Sequence, residues 1–186
     1  MSRLSLAPLP LPGLVRVQRQ PLRDARGFFE RLFCAEELAE VGWTQPIAQI
    51  NRSLTHQAGS VRGLHYQQPP HAETKLVTCL RGAVWDVAVD LRAGSPTFLR
   101  WHAELLSAEN GCALLIPPGF AHGFQAQSFE AELLYCHSAP HAPEAEAGLH
   151  PLDARLAIAW PLPVQGLSAR DAGQAWLTED FQGVRL

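Results

Sequence analysis

Short apolar segments recur at regular intervals through the middle of this chain. They cover residues 76–80, 83–91, 98–105, 113–117, 123–127 and 132–136. Turn-forming residues separate them, as in Arg81-Gly82, Ala93-Gly-Ser-Pro96 and Glu109-Asn-Gly111. Many short strands with intervening turns predict an all-β sandwich or barrel.

The flanking regions predict smaller elements. Residues 5–13 are rich in proline and leucine and indicate an extended arm or edge strand, which we expect to pack on a partner subunit. Residues 26–33 alternate like a strand, 35–41 predict a short helix, and 49–53 predict a polar strand that faces a cavity. After Pro140 the chain turns irregular, with a short helical segment at 168–177.

Length and composition predict one domain, spanning residues 1–186, with 47% hydrophobic residues for a single core. The formal charge is −3 and the basic residues are dispersed, so neither nucleic acid nor a membrane surface is an expected partner. The cysteines Cys34, Cys79, Cys112 and Cys136 lack a C-x2-C pair and are expected to be free thiols. With no signal-peptide pattern and no run of 18 apolar residues, we expect a cytoplasmic protein.

The spacing of one sequence motif indicates which type of β-fold to expect. Gly111-Cys-Ala-Leu-Leu-Ile-Pro117-Pro-Gly119-Phe-Ala-His122 follows G-x5-P-x-G-x2-H, the second half of the cupin motif. The first half, G-x5-H-x-H, is present only as Gly59-Ser-Val-Arg-Gly-Leu-His65-Tyr-Gln67. We therefore expect a cupin-type jelly roll with a few short peripheral helices. Because Gln67 replaces the second histidine of a metal site, we expect no metal and no cofactor.

His65 is the first candidate for chemistry. Strand alternation puts His65 and Gln67 on one face, with Leu64 and Tyr66 on the other. The cupin spacing puts His65 and His122 on neighbouring strands around one cavity, where a neutral imidazole is a competent general base. A hydrogen-bonded core histidine is the alternative.

A metal site is a second alternative. His65, Glu73 and His122 would form a two-histidine, one-carboxylate set for iron or manganese. However, Glu73 is displaced from the motif spacing, and Gln67 is a poor ligand.

Three further residues are candidates for catalysis or substrate binding. Lys75 opens an apolar strand; pointing inward, its ammonium would stabilise an enolate oxygen, whereas a solvated strand end is the alternative. Arg62 would clamp a phosphate. Tyr135 ends the run Leu133-Leu134-Tyr135 and is either a core aromatic or a proton donor opposite His65.

Several ordered motifs resemble the dTDP-4-dehydrorhamnose 3,5-epimerases. They are Asp24-Ala-Arg-Gly-Phe-Phe29, Arg62-Gly-Leu-His-Tyr-Gln, Lys75-Leu-Val, Trp85-Asp-Val-Ala-Val-Asp-Leu-Arg92, Gly94-Ser-Pro-Thr-Phe98, Leu106-Ser-Ala-Glu-Asn110, Ile116-Pro-Pro-Gly-Phe-Ala-His-Gly-Phe124 and Leu167-Ser-Ala-Arg-Asp171. The resemblance covers nearly the whole chain. It implies a metal-free cupin that needs no cofactor and works as a homodimer.

The resemblance also implies roles. His65 is then the base, oriented by Asp171, and Tyr135 protonates the sugar from the opposite face. Lys75 stabilises the enolate formed beside the 4-keto group. The remaining implied contacts are to substrate, with part of the site crossing the dimer interface: Arg26 and Arg62 at the diphosphate or nucleotide, Phe29, Gln49 and Asn51 at the nucleotide end, and His122 in the pocket.

Two departures from the family pattern stand out. Arg31 replaces a common glutamate, and Cys136-His-Ser-Ala-Pro140-His141 replaces a lysine and a tyrosine pair that close over the nucleotide. The expected reaction is epimerisation of dTDP-4-keto-6-deoxyglucose to dTDP-4-keto-rhamnose. The alternatives are a single-carbon epimerase, a 3,4-ketoisomerase, a metal-dependent dioxygenase and a non-catalytic sugar-nucleotide binding protein.

Overall fold

The computed structural model describes residues 2–186, which form thirteen β-strands and two short α-helices. In chain order these are β1 (Leu4–Pro8), β2 (Val15–Arg19), β3 (Leu22–Asp24), β4 (Gly27–Phe29), α1 (Ala35–Ala39), β5 (Gln49–Thr55), β6 (Val61–Gln67), β7 (Lys75–Arg81), β8 (Ala83–Asp90), β9 (Trp101–Ser107), β10 (Cys112–Ile116), β11 (Phe120–Ala126), β12 (Ala131–His137), β13 (Glu146–Gly148) and α2 (Ala169–Ala172).

The strands form two large antiparallel sheets. The six-stranded sheet has the order β1-β2-β10-β7-β12-β5, and the five-stranded sheet has the order β13-β6-β11-β8-β9. Strands β3 and β4 pair only with each other, as a small hairpin. The predicted all-β jelly roll is confirmed.

The two sheets share an apolar core. Val77, Leu114 and Leu133 come from the six-stranded sheet, and Val84 and Phe124 from the five-stranded sheet. Their burial excludes water from the interface and stabilises the face-to-face packing.

Both outer faces are covered as well. Leu38 of α1 and Trp43 pack on the six-stranded sheet, and the C-terminal residues Leu156 and Leu177 pack on the five-stranded one. Central strands are therefore buried on both sides, which explains the uninterrupted apolar run of β10.

Some predicted boundaries were wrong. The strand expected at 98–105 begins at Trp101, because residues 95–100 turn around the Asp90 carboxylate, which accepts hydrogen bonds from Ser95 and Thr97. The strand expected at 123–127 begins at Phe120, and 26–33 contains only the short β4.

The predicted helices and arm are shorter than expected. The helix at 168–177 stops at Ala172, before Gly173, and that at 35–41 stops at Ala39. In the arm, Leu4–Pro8 forms the edge strand β1.

Candidate active site

A cavity of about 280 Å³ opens between the two sheets, beyond one end of the apolar core. On β11, the buried His122 lies between the core residues Phe120 and Phe124, and it lines the cavity together with Phe124. The lining includes Gln49, Asn51, Ser53, Arg62, His65, Gln67, Glu73, Lys75, His122, Tyr135, His137 and His141.

His65 of β6 forms a close pair with Asp171 of α2. Nε2 of His65 lies 2.7 Å from Oδ1 of Asp171. Ser168 caps α2 by accepting a hydrogen bond from the Asp171 backbone N–H, which fixes the carboxylate at the first turn. Although burial works to raise the pKa of Asp171, hydrogen bonding and the charge of His65 hold it below its usual value.

His122 lies beside His65 across the β6–β11 pairing, where the two residues are direct partners. Its Nε2 is 2.9 Å from Oδ2 of Asp86, a fully buried residue of β8. Burial raises the pKa of Asp86, and the facing imidazole of His122 works in the opposite direction. The cavity thus contains a second histidine–aspartate pair.

Glycine allows β6 and β11 to approach closely beside these histidines. Gly63 has φ +124°, and a Cβ there would lie 2.6 Å from the Cα of Gly123. Only glycine fits that spacing and that backbone conformation. The local register shift of β11 begins at this point, directly after His122.

Tyr135 enters the cavity from the other sheet. It lies on β12, and its hydroxyl is 3.0 Å from Oγ of Ser53 on β5. Burial raises the pKa of the Tyr135 phenol, so the group stays protonated at neutral pH. His65 and Tyr135 therefore face one cavity from opposite sheets.

Lys75 also lies in the cavity and is not a solvated strand end. Its side chain is 12% exposed, and Nζ is 3.1 Å from Oε1 of Glu73. Oε2 of Glu73 is 2.8 Å from Nδ1 of His137. Burial works to raise the pKa of Glu73, but His137 and Lys75 together hold it below its usual value.

Gln67 has its amide fully engaged with backbone. Its Nε2 donates to the carbonyls of His71 and Pro140 at 2.9 and 3.2 Å, and its Oε1 accepts from the Ala142 N–H at 2.7 Å. The residue at the usual ligand position thus joins two loops at the cavity rim.

The alternative metal set is not assembled in residues 2–186. Glu73 is bound to Lys75 and His137, whereas His122 is bound to Asp86 and His65 to Asp171. The described part of the chain contains no group of three or more His, Cys, Asp or Glu side chains placed to hold a metal ion.

The predicted nucleotide contacts divide into two groups. Arg62, Gln49 and Asn51 line the cavity. Arg26 and Phe29 do not: they lie on the β3–β4 hairpin with the Arg26 side chain 90% exposed and Phe29 71% exposed. Within this chain, the structure does not bring these two residues to the other candidates.

The two departures noted above have distinct surroundings. Arg31 forms an ion pair with Glu37 of α1. His141 lines the cavity, and its backbone N–H donates to Oε1 of Gln49 at 2.8 Å.

The sequence alone does not indicate His137 or Asp86 as site residues, and it suggests Glu73 only as a metal ligand. Period-two alternation from Tyr135 along β12 was the available signal for His137. Asp86 alternates with the core residues Val84 and Ala88, which indicates its inward position.

Comparison with known proteins gives one consistent result. Residues 8–179 match the family described as dTDP-4-dehydrorhamnose 3,5-epimerase. The chain belongs to this family. It is an epimerase, in the isomerase class of enzymes, as the motifs of the sequence predicted.

The relatives include 3,5-epimerases and a 3-epimerase. A dTDP-4-dehydrorhamnose 3,5-epimerase from Sinorhizobium fredii is 42% identical over 88% of this chain and 86% of its own. A dTDP-4-dehydrorhamnose 3-epimerase from Streptomyces niveus is 40% identical over 95% of this chain and 85% of its own.

Among solved structures, the dTDP-6-deoxy-D-glucose-3,5-epimerase of Legionella pneumophila, in complex with dTDP-4-keto-L-rhamnose, is similar with a TM-score of 0.90. It is 40% identical, and the match covers 98% of each chain.

No helix within residues 2–186 is long and apolar enough to cross a membrane.

Proposed function

We propose that this enzyme epimerises dTDP-4-keto-6-deoxyglucose at carbons 3 and 5, giving dTDP-4-keto-rhamnose. The observation that carries the proposal is the placement of His65 and Tyr135 on opposite sheets around one cavity that also contains Lys75. Inversion of a carbon needs a base on one face and an acid on the other, and a binding protein needs neither.

His65 is the proposed base. The carboxylate of Asp171 accepts a hydrogen bond from Nε2–H, which leaves Nδ1 with the lone pair that takes the proton from carbon. The broken C–H bond leaves its electrons on the 4-keto oxygen as an enolate. Asp171 stabilises the imidazolium that forms, as it does in other histidine–aspartate pairs.

Lys75 and Tyr135 complete the proposed cycle. The ammonium of Lys75 stabilises the enolate oxygen. The phenol of Tyr135 then gives its proton to the carbon from the opposite face, and the carbonyl re-forms. Proton exchange with water returns His65 to the neutral base and Tyr135 to the phenol. A phenol kept protonated by burial suits this role.

The nucleotide is proposed to bind across a homodimer. Arg62, Gln49 and Asn51 lie at the cavity, and the exposed Arg26 and Phe29 of the hairpin contact the nucleotide in the other protomer. The support is the β3–β4 hairpin, which leaves the Arg26 side chain 90% exposed and Phe29 71% exposed. The four free thiols support a cytoplasmic location.

Incubation with dTDP-4-keto-6-deoxyglucose in deuterated water tests the reaction. Deuterium at both carbons 3 and 5, with inversion at each, is the expected result and should be unchanged by a chelator. Deuterium at carbon 3 alone would favour the second candidate, a 3-epimerase like the Streptomyces niveus relative. If neither carbon 3 nor carbon 5 exchanges its hydrogen, the proposed reaction is overturned.

A further inference from the structure

Four side chains form a hydrogen-bonded series along one wall of the cavity. Nδ2 of Asn51 lies 3.4 Å from Nε2 of His137, and Nδ1 of His137 lies 2.8 Å from Oε2 of Glu73. Oε1 of Glu73 lies 3.1 Å from Nζ of Lys75. All four line the cavity. His137 belongs to the segment in which this chain departs from the family pattern.

The register of the strands brings these side chains together. His137 on β12 is the direct partner of Lys75 on β7 and of Gln49 on β5. Direct partners in an antiparallel pair point to the same face of the sheet. Glu73, two residues before Lys75, reaches back to both.

The donors and acceptors fix the state of the imidazole. The Glu73 carboxylate requires a donor, so Nδ1 of His137 carries hydrogen, and Nε2 accepts from the Asn51 amide. The ring also stacks on Tyr135, with centroids 6.1 Å apart. His137 is therefore held on both nitrogens and on one ring face.

We propose that His137 is a positioning residue that holds one oxygen of Glu73 and so limits this carboxylate to a single contact with Lys75. Glu73 has two oxygens, and the side chain is only 7% exposed. Without His137, one oxygen would be a buried acceptor lacking a partner, and the carboxylate would turn both oxygens to the ammonium. The ammonium of Lys75 would then bind the carboxylate of Glu73 instead of the enolate oxygen. The inference rests on the proposed function, in which Lys75 stabilises that enolate.

The first test is substitution of His137, read as kcat and KM. His137→Phe keeps the stack on Tyr135 but loses the donor, and we expect kcat to fall about tenfold with KM nearly unchanged. His137→Asn places an amide nitrogen near the position of Nδ1 and should retain kcat within about threefold. His137→Gln mimics Nε2 instead and should behave like the phenylalanine variant. A matched control is His102→Phe, which breaks a similar histidine–glutamate contact outside the cavity and should leave kcat unchanged.

A double-mutant cycle separates positioning from a structural role. If His137 acts through Lys75, adding His137→Phe to a Lys75→Met enzyme should cost no further activity. A full tenfold further loss, or equal kcat in the Asn and Gln variants, would overturn the inference while leaving the proposed function intact. Full activity of Lys75→Met would overturn the enolate role and the inference together. Failure of the wild-type enzyme to exchange deuterium would overturn the proposed function itself.

Discussion

Nε2 of His65 lies 2.7 Å from Oδ1 of Asp171, although the residues are 106 positions apart in the chain. The histidine belongs to the five-stranded sheet and the aspartate to a one-turn helix that follows a long irregular segment. The C-terminal segment therefore does more than cover the sheet. It supplies the carboxylate that fixes which imidazole nitrogen carries hydrogen.

Asp171→Asn should reduce turnover with little effect on nucleotide binding. The variant removes the charge that stabilises the imidazolium, and positioned acid–base groups contribute about 10²–10⁴-fold. Steady-state kinetics and calorimetric titration with dTDP measure the two effects. Asp180→Asn, at an exposed carboxylate, is the control. A loss smaller than about tenfold would place Asp171 outside the catalytic machinery.

Tyr135→Phe should separate proton exchange from inversion. The base and Lys75 remain, so the enolate still forms, but His65 can return a deuteron only to the face that it deprotonated. In deuterated water, the variant should incorporate deuterium with retained configuration while epimerisation falls more strongly. Ser53→Ala, which removes only the partner of the hydroxyl, should retain inversion. If Tyr135→Phe leaves both processes unchanged, the proton donor is another group.

Mixed dimers should show whether the hairpin serves the other protomer. Arg26→Ala and His65→Asn should each be poorly active alone. In a heterodimer of the two, one site would combine an intact His65 with an intact Arg26 from across the interface. After mixing and refolding, about a quarter of wild-type activity should return, because half of the dimers then hold one working site of two. Activity equal to the mean of the parents would mean that Arg26 acts within its own chain.

Asp90 should make stability depend on pH in the acid range. It is fully buried and accepts hydrogen bonds from Arg92, Ser95 and Thr97. Burial would raise the pKa of Asp90, but these donors hold it at about 2, below the value of 3.8 for a free side chain. Because the folded-state pKa is the lower one, the stabilisation is complete above about pH 5 and is lost as the pH falls towards 2.

Asp90→Asn gives the matching measurement. Near neutral pH it should lower the free energy of unfolding by roughly 2 kcal/mol, and the difference from wild type should shrink as the pH approaches 2. Urea titrations at several pH values test this. A difference that stays constant with pH would show that the ionisation of Asp90 does not contribute.

The sequence predicted the sheets and most of the cavity because both depend on local pattern. Alternation and turn residues locate strands, and the motif spacing correctly paired His65 with His122. The turn at residues 95–100 escaped prediction because it is fixed by hydrogen bonds to the Asp90 side chain, which apolar periodicity does not show.

Prediction also failed where contacts cross between sequence-distant segments. Nothing local links Glu73 to His137, or Asp86 to His122, since each pair forms only when neighbouring strands fall into register. The hydrogen bond of Asp171 was anticipated through family resemblance, not through its own surroundings. Long-range polar pairs of this kind need the assembled sheets to become visible.

The backbone bonds of Gln67 have a consequence for how this pocket can change. The substitution Gln67→His would complete the cupin metal motif but would remove the side-chain amide that joins residue 71 to residues 140 and 142. An imidazole cannot both donate to two carbonyls and accept from an N–H. The substitution would break the hydrogen bonds that hold the cavity rim, whether or not the new histidine bound a metal. Gln67, at the position of a metal ligand in the cupin motif, instead links these two loops by hydrogen bonds. A metal site at this position would therefore require new contacts between the loops.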